Sequence, residues 1–166
     1  MKAETLQKRI EKIATKKDGS LYSNFAPALR LILGAGKVHK GTTGRGRFTK
    51  ITDTDFVNAK NYLSALKIDF EIGNDAQRGG KTGDYVALSE KGKKQIEDFA
   101  ENSELGVAFK VIKNNSNTRA NIYRNAYVEN RELSGEERKE LKRLTDVSYD
   151  VAYKIKNKYG IDLIIF

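Results

Sequence analysis

Residues 68–88 read IDFEIGNDAQRGGKTGDYVAL, and the reading of this stretch decides the fold. Ile68, Phe70 and Ile72 alternate with Asp69 and Glu71, which is the period of a half-buried strand. Tyr85 to Leu88 supplies a second strand-forming run. Gly80-Lys81-Thr82 between them matches only the last three positions of a phosphate-binding loop. Such a loop needs a glycine five positions before the final Gly, and Asp75 stands there. It must also lead into a helix whose first amides hold the anion, whereas here a strand follows. The stretch is therefore expected to be a hairpin. Gly79, Gly80 and Gly83 can supply positive φ where the chain reverses. Arg78 and Lys81 then sit at the tip.

Both flanks read as helices. Asp53 or Thr54 opens one that runs to about Lys67, with Phe56, Ala59, Leu63 and Leu66 as its apolar stripe. After the second strand, Ser89 can cap another helix, with Ile96, Phe99 and Ala100 inward. A helix, an alternating strand, a basic glycine-rich tip, a second strand and Leu-Ser-Glu-Lys-Gly before a helix resemble the helix-plus-wing part of winged-helix DNA-binding domains, over residues 54–100. The resemblance implies a helix that reads the major groove and a wing that touches the backbone or the minor groove. On this chain it implies wing-tip contacts from Arg78 and Lys81. Asn58, Lys60, Asn61 and Ser64 would then lie on the exposed face of the reading helix.

Further out, residues 4–17 are expected to be helical, with Leu6, Ile10 and Ile13 on one face and Asp18-Gly19-Ser20 as the stop. Residues 23–33 are expected to be a second helix, with Pro27 in the first turn and Gly34 just past the end. Phe48 and Ile51 are expected in a short strand. In the C-terminal third, Val107, Phe109 and Val111 alternate as in a strand, and Asn114 to Asn117 read as a turn or linker. A helix is expected from Thr118 to about Asn130, with Tyr123 and Tyr127 packing into the core; the alternative is that they and Arg119 and Arg124 stack on bases or anchor a protein partner. Ser134-Gly135-Glu136-Glu137 matches a capping box for a long helix that carries Leu141, Leu144, Val151 and Ile155 and ends at Gly160. Ile161 to Phe166 are expected to close the chain as a short strand. This gives an α+β fold: helices around a small antiparallel sheet over residues 1–113, then a helical subdomain over 114–166.

The net charge of +9 is unevenly placed. Residues 1–50 hold twelve basic and three acidic residues, 51–105 hold seven and eleven, and 106–166 hold twelve and eight. Lopsided basicity points to a polyanionic partner. The densest part is Gly34 to Phe48, GAGKVHKGTTGRGRF, with five glycines and no acid. Glycines let a backbone approach phosphates closely. Lys37, His39, Lys40, Arg45, Arg47 and Lys50 are the expected nucleic-acid contacts, together with Arg78 and Lys81. Lys60, Asn61, Arg119 and Arg124 are secondary candidates.

Catalytic patterns are scarce. The single histidine, His39, and the absence of cysteine rule out the common histidine- and thiolate-rich zinc sites and disulfides. Asp69, Glu71, Asp75 and Asp84 could hold Mg²⁺ for phosphodiester hydrolysis, but Asp69 and Glu71 are also the ordinary outward residues of a half-exposed strand. No apolar run has membrane-spanning length. The expectation is an intracellular, cytoplasmic protein that binds DNA or RNA through backbone contacts, with no catalytic residues, no cofactor and no metal. The alternative is a small phage-type structural or host-inhibitory module, encoded for a bacterial host, whose basic patch meets an acidic protein. Homo-oligomerisation is compatible with both.

Overall fold

The computed structural model describes residues 1–34, 36–40, 53–76 and 82–166. Helix α1 spans Ala3–Ala14, a 3-10 turn covers Ser23–Phe25, and α2 spans Ala26–Ile32. The short strand β1 (Val38–His39) precedes α3 (Asp53–Ala65), β2 (Phe70–Ala76) and β3 (Thr82–Leu88). Helices α4 (Glu90–Asn102), α5 (Glu104–Val128) and α6 (Gly135–Tyr159) follow, and a 3-10 turn at Leu163–Ile165 ends the chain. The strands form one antiparallel sheet in the order β1-β3-β2. The α+β class and the hairpin expected from residues 68–88 are both present.

The apolar stripes explain which helix faces turn inward. Leu6 and Ile10 of α1 are buried, as are Phe56, Ala59 and Leu63 of α3 and Leu66 just beyond it. Helix α1 stops at Ala14 rather than Lys17 because Thr15 pairs with Leu21 in an isolated bridge. The turn that makes this pairing possible uses Gly19 at φ 89°. Around Phe25 the expected single helix begins as a 3-10 turn, with Pro27 in the first turn of α2 and Gly34 at φ 110° after its end. The period of two at residues 68–72 fades along the strand. Ile68 is buried, while Ile72 is half exposed because β2 is a sheet edge and β3 holds the centre.

The segment Leu88-Ser89-Glu90-Lys91-Gly92 locks α4 onto the start of the hairpin. Ser89 Oγ accepts a hydrogen bond from Gly92 N at 3.1 Å, the N-cap its sequence position suggested, and donates to Asp69 Oδ2. Gln95 holds the same chain from both sides. Its Oε1 accepts from Asp69 N at 2.8 Å, and its Nε2 donates to Lys67 O at 3.1 Å. Gly92 lies against the Asp69 carbonyl, where a Cβ would stand 1.9 Å from the oxygen.

The C-terminal third differs from the sequence reading. Residues 104–128 form one unbroken helix instead of a strand, a linker and a shorter helix. The apolar set Leu105, Ala108, Phe109 and Ile112 is the buried one, with helical spacing, whereas Val107 from the alternating set is exposed. The Asn-rich run at 114–117 stays helical, and Asn115 donates to Ser148 Oγ of α6 at 3.2 Å. The chain thus crosses the expected boundary at 113/114 inside a helix. Tyr127 is 86 % exposed and Tyr123 half exposed, so neither is a core residue. The expected terminal strand is a 3-10 turn that buries Leu163, with Asp162 Oδ1 accepting from Ile164 N.

Helix α6 starts with the expected capping box. Ser134 Oγ accepts from Glu137 N, and Glu137 Oε1 accepts from Ser134 N at 2.9 Å. Arg131 adds a forked contact to both Glu137 oxygens. These donors, Arg131 first, pull the Glu137 carboxyl down to about 2. A depressed carboxyl contributes stability above its unfolded value near 4.5 and loses it as pH falls toward 2. The melting temperature of Glu137→Gln is therefore expected below that of the native protein at pH 7, with the gap closing between about pH 4.5 and pH 2. A gap that does not change with pH would contradict the assignment.

Candidate nucleic-acid interface

The sheet register brings the strand ends that lead into two basic stretches to one end of the sheet. Val38 pairs with Val86 and His39 with Tyr85, and Lys40 N donates to Asp84 O at 2.8 Å. Strand β1 therefore runs toward the hairpin tip, since Ala76 faces Thr82 two residues beyond Asp84. The chain leaves β1 into residues 41–52 at the same end of the sheet at which β2 leaves into 77–81, with β3 between the two strands. These two stretches carry Arg45, Arg47, Lys50, Arg78 and Lys81 and contain no acid. Those five residues, and the strand expected at Phe48 and Ile51, lie outside the described residues.

The first residues of the loop have partners that sequence reading missed. Lys37 Nζ donates to Asp75 Oδ2 at 3.0 Å, and His39 Nε2 lies 2.9 Å from Asp75 Oδ1. The stretch holds no acid of its own, yet the fold brings Asp75 to both Lys37 and His39. The hydrogen bond from Lys37, then that from His39, holds the Asp75 carboxyl below the usual carboxylate range, and the same contact raises Lys37. Tyr85 organises the face these groups share. Lys37 Nζ stands 4.2 Å from its ring centroid, and His39 meets the ring edge-on at 5.9 Å. The ring lies across Gly73, where a Cβ would come within 2.3 Å of it. That glycine carried no turn signal in sequence, since the need for it arises from the neighbouring strand. A cleft of about 500 Å³ opens beside this group, between Lys37, Glu71 and Tyr85 and the α4 residues Lys93 and Ile96.

On the other face of the sheet, α3 packs with Phe56, Ala59 and Leu63 inward. Lys60 Nζ stands 5.1 Å from the Phe56 ring and Lys40 Nζ 5.9 Å, so one aromatic ring seats two lysines from separate elements. The outward side of α3 carries Thr54, Val57, Asn61 and Ser64, all exposed, with Asn58 half buried beside them. Apart from Val57 this face is polar, and it carries no charge. The acidic residues Asp53 and Asp55 sit at the helix start, and Asp55 pairs with Arg30 at 4.0 Å. Asparagine and hydroxyl side chains can exchange hydrogen bonds with base edges.

Three of the four carboxylates considered for Mg²⁺ are engaged with separate partners. Asp69 accepts from Ser89, Asp75 from Lys37, and Asp84 from Asn74 at 2.8 Å. No group of three or more metal-ligating side chains occurs among the described residues. Of the secondary candidates, Arg124 is exposed and Arg119 half buried, both on α5. Neither lies on the elements that form the sheet end. No protein-family model, curated protein or solved structure matches the chain. Among the described residues, no helix is long and apolar enough to cross a membrane.

Proposed function

We propose that the chain binds nucleic acid at the hairpin end of its sheet, chiefly through phosphate contacts. The observation that carries this reading is the register of β1 on β3. It sets the chain off toward Arg45, Arg47 and Lys50 from the same end of the sheet at which β2 ends before Arg78 and Lys81. Helix α3 supports it, because its uncharged outward face and the lysines at 40 and 60 suit a groove flanked by phosphates. Lys37 and His39 act in this reading as braces that hold β1 to β2 through Asp75.

The test is affinity for duplex DNA, single-stranded DNA and RNA across a salt series. Four phosphate contacts on a duplex give a slope of log K against log salt of about −3.6. Arg45→Ala with Arg47→Ala removes two, so the slope should become shallower by about 1.8. The comparison of DNA with RNA then decides which polymer is preferred. Unchanged affinity and slope in the double variant would remove the loop from the interface. No binding to any of the three at low salt would leave an acidic protein as the better partner.

A further inference from the structure

Helix α5 carries a second basic surface, independent of the sheet end. From Leu105 to Val128 it contains Lys110, Lys113, Arg119 and Arg124 and not one acidic residue. Its inward side is spent on α6 and the body, through Leu105, Phe109, Ile112 and Ala126. Lys110, Asn114, Asn117, Asn121 and Arg124 follow one another at helical spacing along the opposite side, and all are exposed. They span about 21 Å of helix at 1.5 Å per residue. Tyr127 lies one turn beyond Arg124 and Tyr123 one turn before Tyr127, on the line that Leu105 and Phe109 follow five turns earlier, and at this end of the helix both rings are open to solvent. Arg119 is half buried, and its Nε is enclosed without a hydrogen-bond partner among the described residues.

We propose that this face of α5 is a binding surface for single-stranded nucleic acid. Its unopposed cations complement a phosphate chain, and exposed tyrosines beside an arginine provide a platform on which bases stack. The asparagines add hydrogen-bonding groups that do not cost the surface its positive charge. A second copy of the chain is a poorer fit, because α5 laid on α5 would set cation against cation. The surface does not depend on the loop and the hairpin, so each can fail alone.

The experiment uses the full chain with fluorescein-labelled oligothymidylate and oligouridylate, and a duplex of the same length in parallel. Lys110→Gln with Lys113→Gln and Arg124→Gln should make the single-strand salt slope shallower by about 2. Tyr123→Ala with Tyr127→Ala should lower single-strand affinity at least about tenfold. Restoring the charge with Lys110→Arg and Lys113→Arg should recover most of the slope, which a merely misfolded variant would not do. Arg45→Ala with Arg47→Ala should leave the contribution of α5 to single-strand binding in place. The proposal is overturned if the charge variant binds both oligonucleotides as tightly as the native chain does. It is also overturned if the tyrosine variant only turns a sedimenting dimer into a monomer with strand affinity unchanged, since the face would then belong to a second copy.

Discussion

Gly92→Ala is expected to destabilise the protein by about 3 kcal/mol, although alanine is the better helix former by about 1 kcal/mol. The new Cβ would stand 1.9 Å from the Asp69 carbonyl oxygen and 3.0 Å from its carbon. These are backbone atoms at the entry to β2, so no side-chain rotation relieves the overlap. The chain at 67–69 is also pinned by Gln95 and by Ser89, which leaves little room for it to retreat. For a chain of this length the loss corresponds to a fall in melting temperature of about 6–12 °C. Gly135→Ala is the matched control. It also adds a methyl group to a helix, but meets nothing within 4 Å, and its melting temperature should stay level or rise slightly. A Gly92→Ala protein that melts with the control would show that α4 does not approach the hairpin so closely.

Gly106→Ala should cost a similar amount by opening the elbow between α4 and α5. Ser103 ends the first helix and caps the second, accepting from Gly106 N at 2.9 Å, so the two helices meet with one residue between them. A Cβ on Gly106 would stand 2.2 Å from Ala100 O and 2.6 Å from Phe99 O, in the last turn of α4. Relief requires the helices to separate, and Phe99 and Leu105 on either side of the elbow are both buried. The expected loss is again about 3 kcal/mol, read from denaturant unfolding. Because Glu104 directly follows the elbow, its contact with Tyr159 at 2.9 Å should weaken with it. A two-state transition within about 0.5 kcal/mol of native would contradict the geometry.

These two glycines show how far the residues could be read in order. Leu-Ser-Glu-Lys-Gly at 88–92 was legible as a helix start, because a serine before an amphipathic run is a local signal. That its glycine meets a carbonyl more than twenty residues earlier was not legible, since nothing near Gly92 encodes the approach. Asp75 is a similar case. In sequence it stands where a phosphate loop would need glycine, which was enough to reject nucleotide binding there. Its contacts with Lys37 and His39 arise only because β1 and β2 flank the same central strand.

Local signals also misled at residues 102–128. Val107, Phe109 and Val111 carry a period of two, but Leu105, Phe109 and Ile112 carry a helical one through the same stretch. Packing against α6 selected the helical set, which buries a continuous stripe where the alternating set buries only part of one. The asparagines that read as a linker stay helical because most of them face water, where their helix propensity costs little. Tyrosines expected in the core came to lie outside for a different reason. Tyr123 and Tyr127 continue the line of Leu105 and Phe109 by helical spacing, but beyond Ile112 only Ala126 of α5 is buried, so both rings stay in solvent.

Sequence by itself determined the α+β class, the hairpin, the caps at Ser89 and Ser134, the stop at Gly160 and the uneven charge. Each of these rests on interactions within a few residues, or on composition, and so is present in the order of the chain. Tertiary structure alone decided that β1 joins β3, and thereby that the two acid-free basic stretches leave from one end of the sheet. It also decided that α5 is one helix with a bare basic face. Those outcomes depend on which apolar surfaces meet across the fold, and that choice belongs to the whole molecule.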